Sequence, residues 1–129
     1  MLKALSAALA MGLVLSVAPP ALSKEAAPAK IVKSTKGKVY ADHKGMTLYV
    51  FDKDGKGKSN CTGMCATYWP PLAAAATAKP SGEWSIVARD DGSRQWAYEG
   101  KPLYTYADDH KPGDVTGDGV DGTWHLAKP

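Results

Sequence analysis

No stretch of this sequence stays apolar for the roughly 20 residues that a membrane-spanning helix requires. The best candidate, Leu9 to Leu15 near the start of the chain, is soon interrupted by Pro19-Pro20. A lipid-anchoring cysteine is also missing. Bacterial lipidation modifies a Cys directly after the leader cleavage point, and the only two cysteines, Cys61 and Cys65, lie far downstream. Charge is close to balanced, with 16 Lys+Arg against 13 Asp+Glu, too little excess to argue for nucleic acid. There is no Gly-x-Ser-x-Gly elbow, no glycine-rich phosphate cradle, no His-Glu-x-x-His and no carboxylate pair in an evident pocket. These gaps argue against a membrane span, a lipid anchor and a nucleic-acid partner, and more weakly against hydrolysis or phosphoryl transfer.

What is present at the N-terminus reads as an address. Lys3, the apolar run Leu9-Ala10-Met11-Gly12-Leu13-Val14-Leu15 and the small residues before Lys24 form the three parts of a secretory signal peptide over residues 1–23. The expected product is a soluble periplasmic or secreted protein. Cleavage removes one basic residue. The remaining charge is uneven: Lys24 to Asn60 holds nine Lys against four acids, and Thr105 to Thr123 holds five Asp against Lys111. Solvated loops explain this, as does a basic end that meets an acidic envelope protein or the anionic envelope surface. Residues 24–36, rich in Ala, Pro and Lys, read as a flexible lead-in, and residues 37–129 as one β-rich domain.

The domain is internally repeated. A gapless shift of 55 places lays Gly45, Leu48, Tyr49, Phe51, Asp54 and Trp69 onto Gly100, Leu103, Tyr104, Tyr106, Asp109 and Trp124. Repeat one covers about 39–72 and repeat two about 94–127. Leu48-Tyr49-Val50-Phe51 and Leu103-Tyr104-Thr105-Tyr106 are short β-branched and aromatic runs bounded by Gly and Asp, and so read as strands. Turns at His43-Lys44-Gly45 and Glu99-Gly100 precede them, and Trp84 to Ala88 is expected to turn at Asp90-Asp91-Gly92 into Arg94 to Tyr98. One helical turn is expected over Cys61 to Tyr68, with Asn60 as its N-cap and Pro70-Pro71 ending it. The fold class is therefore mostly β: a small antiparallel sheet or two-layer sandwich built from two pseudo-symmetric repeats.

The runs Tyr49-Val50-Phe51-Asp52-Lys53-Asp54 and Tyr104-Thr105-Tyr106-Ala107-Asp108-Asp109 both fit Tyr-x-aromatic-x-x-Asp. In this the chain resembles a bacterial secreted-repeat family usually labelled predicted lipoproteins. The likeness extends to Cys61-Thr62-Gly63-Met64-Cys65-Ala66, Trp69-Pro70-Pro71-Leu72, Arg89-Asp90-Asp91-Gly92 and Gly100-Lys101-Pro102-Leu103-Tyr104. The resemblance implies an exported protein of unassigned biochemical function. The missing lipidation Cys is a departure, and a lipid anchor is not expected.

Three groups of residues could carry chemistry. Cys61 and Cys65, four residues apart, are placed first for a structural disulfide in an oxidising compartment, with dithiol exchange as an alternative. With Met64 and the histidines His43, His110 and His125 they make up a soft donor set of the kind copper selects. Asp114, Thr116 and Asp118, followed by Gly119, match the start of a calcium loop, but His125 stands where its bidentate Glu belongs; tight Gly-Asp turns are the plainer reading. Finally, Trp69, Trp84, Trp96, Trp124 and six tyrosines could build the core or offer faces to sugars, haem edges or bases. The functional expectation is a non-catalytic binding or structural module, with a copper or dithiol redox protein as the alternative. No cofactor is firmly implied; copper is the first candidate and calcium the second.

Overall fold

The computed structural model describes residues 27–129 and, in isolation, Gly12. The expected signal peptide and the opening of the lead-in otherwise lie outside the described residues. No helix among them is long and apolar enough to cross a membrane. The chain runs through β1 (Lys30–Ser34), β2 (Gly37–Ala41), β3 (Tyr49–Phe51), the helix α1 (Met64–Tyr68), β4 (Trp84–Ala88), β5 (Arg94–Tyr98), β6 (Lys101–Pro102), a 3-10 turn (Val120–Gly122) and β7 (Trp124–Leu126). It is mostly β, in small antiparallel sheets, as its residue pattern suggests.

Each repeat opens with a hairpin. β1 pairs with β2 in the register Val32↔Val39, and β4 with β5 in the register Val87↔Gln95. Ile31-Val32 and Ile86-Val87 are 55 places apart and open the two hairpins alike. The lead-in therefore ends earlier than its composition suggests, at Lys30 rather than near Gly37. Only alternate residues of β1, Val32 and Ser34, turn inward, so its lysines conceal the strand.

Beyond the hairpins the two copies interlock. Tyr49 and Tyr104 exchange reciprocal backbone hydrogen bonds of 2.8 and 3.0 Å, which sets a pseudo-two-fold axis between them. β3 of copy one pairs with β7 of copy two, Tyr49 opposite Leu126 and Phe51 opposite Trp124. Tyr104 of copy two bridges Pro71 of copy one. Each copy thus lends its tryptophan-bearing segment to the other.

Two closed cycles of backbone hydrogen bonds lock the exchange. Tyr40 N–H donates to Ala127 O, Ala127 N–H to Leu48 O, and Leu48 N–H to Tyr40 O, each at 2.9 Å. Trp96, Leu72 and Leu103 repeat the cycle at 2.8, 2.9 and 3.0 Å. Tyr40 and Trp96 are 56 residues apart, whereas Leu48 and Leu103 are 55 apart. The second copy is one residue longer in its first turn and one shorter in its second, so the gapless alignment slips by one along β2 and β5.

Two local expectations need correction. The strand foreseen over Leu103 to Tyr106 forms only a bridge at Tyr104, because its partner segment Pro70-Pro71 has no N–H to donate to a ladder. Asn60 does not cap α1. The helix begins after Gly63 with no side-chain cap, while Asn60 Nδ2 donates to Lys53 O at 2.7 Å.

One core cluster gathers Val39, Tyr49, Cys61, Trp69, Tyr104, Trp124 and Leu126; a second gathers Ala29, Tyr40, Leu48, Leu103 and Ala127. Aromatic residues of both copies therefore share one interior. Gly117 lies against it, and a Cβ there would sit 2.8 Å from Trp69 Cη2 and 2.9 Å from Tyr49 Cε1. These are ring atoms held by neighbours. Gly117→Ala is expected to cost about 1–3 kcal/mol through overpacking, read as a lower urea midpoint at unchanged m-value.

Candidate functional site

At the axis four aromatic rings form one column. Phe51 stacks on Trp124 with centroids 4.3 Å apart, Trp124 on Trp69 at 3.8 Å, and Trp69 on Tyr106 at 4.0 Å. Offset or parallel stacking at such separations adds to simple area burial. The order is symmetric, with each copy contributing one tryptophan to the centre and one motif aromatic to an end. Tyr49 and Tyr104 meet Trp69 and Trp124 edge-on at 5.4 and 5.1 Å. Trp69 and Trp124 are only 5% and 2% exposed.

The family motif explains how the column is held. Tyr49 OH donates to Asp109 Oδ2 at 2.6 Å, and Tyr104 OH to Asp54 Oδ2 at 2.7 Å. The Tyr of each copy therefore bonds the Asp of the other. The remaining acceptor capacity of each carboxylate fastens a loop. Asp54 Oδ1 takes Asn60 N–H at 2.6 Å, and Asp109 Oδ1 takes the N–H and the hydroxyl of Thr116 at 3.0 and 2.6 Å. Burial and the neighbouring carboxylate push the Tyr104 hydroxyl up to about 12, and the same two causes raise Tyr49 further. Burial also raises Asp54, against the pull of Asn60 N–H, Tyr104 and Arg89.

On the first copy's side Arg89 extends the network. Its Nη1 donates to Ser59 Oγ at 2.8 Å and Gln95 Oε1 at 2.7 Å, and its Nη2 to Cys61 O at 2.6 Å. Ser59 Oγ is 2.7 Å from Tyr104 OH. The disulfide loop is thus tied to the motif tyrosine through one guanidinium.

Cys61 and Cys65 are joined, with S–S 2.05 Å and Cα atoms 5.2 Å apart. Cys61 is fully buried in the core beside the tryptophans, and Cys65 packs at its edge. Closing so short a loop restricts the unfolded chain by about 2 kcal/mol. Reduction is expected to lower the thermal midpoint accordingly, and an unchanged midpoint with two free thiols would show the bond to be structurally idle.

The other sequence candidates do not gather around the sulfurs. His43 Nε2 lies 3.0 Å from Ala27 O, His125 pairs with Asp52 at 2.7 Å, and His110 is exposed. Met64 is exposed on α1. Nor do the calcium-loop residues converge. Asp114 accepts the backbone N–H groups of His110 and Lys111, Thr116 serves Asp109, and Asp118 pairs with Lys36 at 2.9 Å. Among the described residues no three His, Cys, Asp or Glu side chains are placed to share a metal ion. Trp84 packs with Tyr40 and Tyr98.

A groove of about 510 Å³ opens over the ring column, within the roughly 300–1,000 Å³ of small-molecule sites. All four stacked rings line it, with Cys65, Tyr68, Val120 and Thr123 around them and Lys53, Asp108 and Asp121 at the rim. The lining is itself duplicated. Phe51, Lys53, Cys65, Tyr68 and Trp69 stand 55 places before Tyr106, Asp108, Val120, Thr123 and Trp124, so the groove straddles the axis. Tyr68, 53% exposed, and Met64, 69% exposed, extend its apolar surface one helical turn outward. The sequence had marked the ring residues but not the rim. The available signal was divergence between copies: Lys53 against Asp108, and Tyr68 against Thr123.

Fold and groove together define a duplicated β-domain whose two copies exchange tryptophan segments around a shared aromatic column. Comparison with family models matches the chain twice, at residues 30–73 and 85–128, to the family described as "Secreted repeat of unknown function". The chain belongs to that family. Both matched spans begin with a hairpin and end with an exchanged segment, which agrees with the repeat unit seen in the fold. Comparison with curated proteins and with solved structures gave no match.

Proposed function

We propose that this protein is a non-catalytic binding module of the bacterial cell envelope or its exterior, delivered by a cleaved signal peptide, and that it binds its ligand in the groove over the ring column. The supporting observation is that groove. The half-buried Phe51 and Tyr106 and the exposed Tyr68 supply the open wall of the groove, with edges of the nearly buried Trp69 and Trp124 at its base. An apolar floor with a few rim charges is the usual composition of a small-ligand site. The test is a small aromatic alcohol, benzyl alcohol, titrated into the protein while the ring resonances of Phe51, Tyr68 and Tyr106 are followed by NMR. Saturable shifts at these rings, lost in Tyr68→Ala, are expected; shifts spread evenly over the surface would remove the reading.

Copper binding or dithiol exchange is the second reading, favoured by the position of Cys65 on the same groove. It requires both sulfurs to be reduced. Titration of the reduced protein with Cu(I) decides the copper arm, which binding no tighter than that of a Cys61→Ser/Cys65→Ser variant would eliminate; a redox titration in glutathione buffers decides the dithiol arm, which a bond that stays closed throughout would eliminate.

A further inference from the structure

We infer that the groove selects a small zwitterion with a flat apolar body, its cationic group against Asp108 and Asp121 and its anionic group against Lys53. This rests on the groove being the ligand site.

The inference comes from how the two copies have diverged. Positions 53 and 108 are equivalent under the repeat, so the pseudo-two-fold axis sets them on opposite sides of the cleft. A symmetric duplication would carry the same charge on both rims. This chain carries Lys on one and Asp on the other, and Asp121 stands where copy one has Ala66. The floor remains symmetric in chemistry, aromatic on aromatic, while the rim is polarised along one direction.

Among the described residues none of the three rim charges has an ion-pair partner. The ion pairs among the described residues are Lys36–Asp118, Lys58–Asp90 and His125–Asp52. Among the described residues Asp108 accepts a single side-chain hydrogen bond, from the Tyr106 hydroxyl at 3.2 Å. Asp121 is held in a left-handed conformation, φ 54°, that glycine would adopt more easily. Two carboxylates face one ammonium, so the negative side is the stronger.

A ligand with one charge would satisfy one rim and leave the other unanswered. One with both charges, separated by an apolar ring, would satisfy both while covering the column. Charge of this kind gives orientation and selectivity more than raw affinity. para-(Aminomethyl)benzoate, with an ammonium and a carboxylate at opposite ends of one ring, is a small representative of the class and serves as the probe.

The experiment titrates the protein by calorimetry with four compounds sharing one ring: para-(aminomethyl)benzoate, benzylamine, benzoate and benzyl alcohol. The zwitterion is expected to bind tightest, by about threefold or more over each singly charged compound, the scale of a partly exposed ion pair. Lys53→Glu should abolish its advantage over the amine, and Asp108→Lys its advantage over the carboxylate. Both residues are exposed, and the double exchange Lys53→Asp/Asp108→Lys should restore zwitterion preference with the polarity reversed. If benzyl alcohol binds as well as the zwitterion, the groove is the site and the zwitterion inference is wrong. If none of the four binds, the groove reading itself fails and the inference with it.

Discussion

Trp124→Ala is expected to remove about 3–5 kcal/mol of folding free energy, the range for deleting a fully buried aromatic side chain, and to lower the thermal midpoint by more than about 12 °C. A domain of this size is stable by only about 5–15 kcal/mol, so the variant should be partly unfolded under mild conditions. Trp124 is 2% exposed and lies between Phe51 and Trp69, with Tyr104 against its edge. Its removal separates the two halves of the column, each of which then stacks one ring against a void. Because the repeat exchange is reciprocal, Trp69→Ala should cost about as much. The double variant should cost less than the sum, since both single changes destroy the same contact. Urea denaturation of the three variants measures this. A loss below about 1 kcal/mol in either single variant would mean that the column is not what holds the copies together.

The exchange is also where legibility in the sequence ends. Tyr49 and Tyr104, or Trp69 and Trp124, announce a repeat by recurring 55 places apart, and alternation around them announces strands. That much follows from local pattern. Which copy a segment packs against does not, because a residue and its repeat equivalent offer nearly the same surface to any partner. Asp54 and Asp109 therefore looked like turn residues of their own strands, when each serves the tyrosine of the other copy.

The rim of the groove was hidden for a different reason. Lys53, Asp108 and Asp121 are exposed charges in loops, and such residues are ordinarily solvated surface. Only the axis, which places 53 opposite 108, gives them a relation. Spacing and the expected oxidising compartment made a disulfide the first reading for Cys61 and Cys65 beside dithiol exchange and copper, and its connection to Tyr104 through Arg89 and Ser59 was not legible. Arg89 sits 28 residues from Cys61 in a turn with its own local explanation.

Crosswise bonding by the motif leads to the second large effect. Asp109→Ala is expected to cost about 3 kcal/mol, because the buried Tyr49 hydroxyl and the Thr116 N–H lose their acceptor at once. Tyr49→Phe should cost about 1–2 kcal/mol, since the Asp109 carboxylate keeps its Thr116 partners. In double-mutant cycles Tyr49→Phe with Asp109→Asn, and Tyr104→Phe with Asp54→Asn, should couple by about 1 kcal/mol. Tyr49→Phe with Asp54→Asn should add, although these two residues belong to one copy of the motif. Coupling within a copy and additivity across copies would refute the crosswise arrangement.

The same tyrosines contribute to the alkaline limit, alongside Tyr98 and Tyr106, whose hydroxyls are also raised. Their folded-state values are raised above the ordinary 10.0, to about 12 for Tyr104 and further for Tyr49, so the folded protein holds protons that the unfolded chain releases. A raised value means that the contribution is complete below pH 10 and is lost as pH climbs through about 12. Stability measured from pH 9 to 12 should therefore fall, and fall less steeply in Tyr49→Phe and Tyr104→Phe, each of which removes one titrating group. The two substitutions should flatten the curve independently, because each hydroxyl faces a different carboxylate. A profile identical in the wild type and both variants would place the two hydroxyls in water and leave the motif without its physical role.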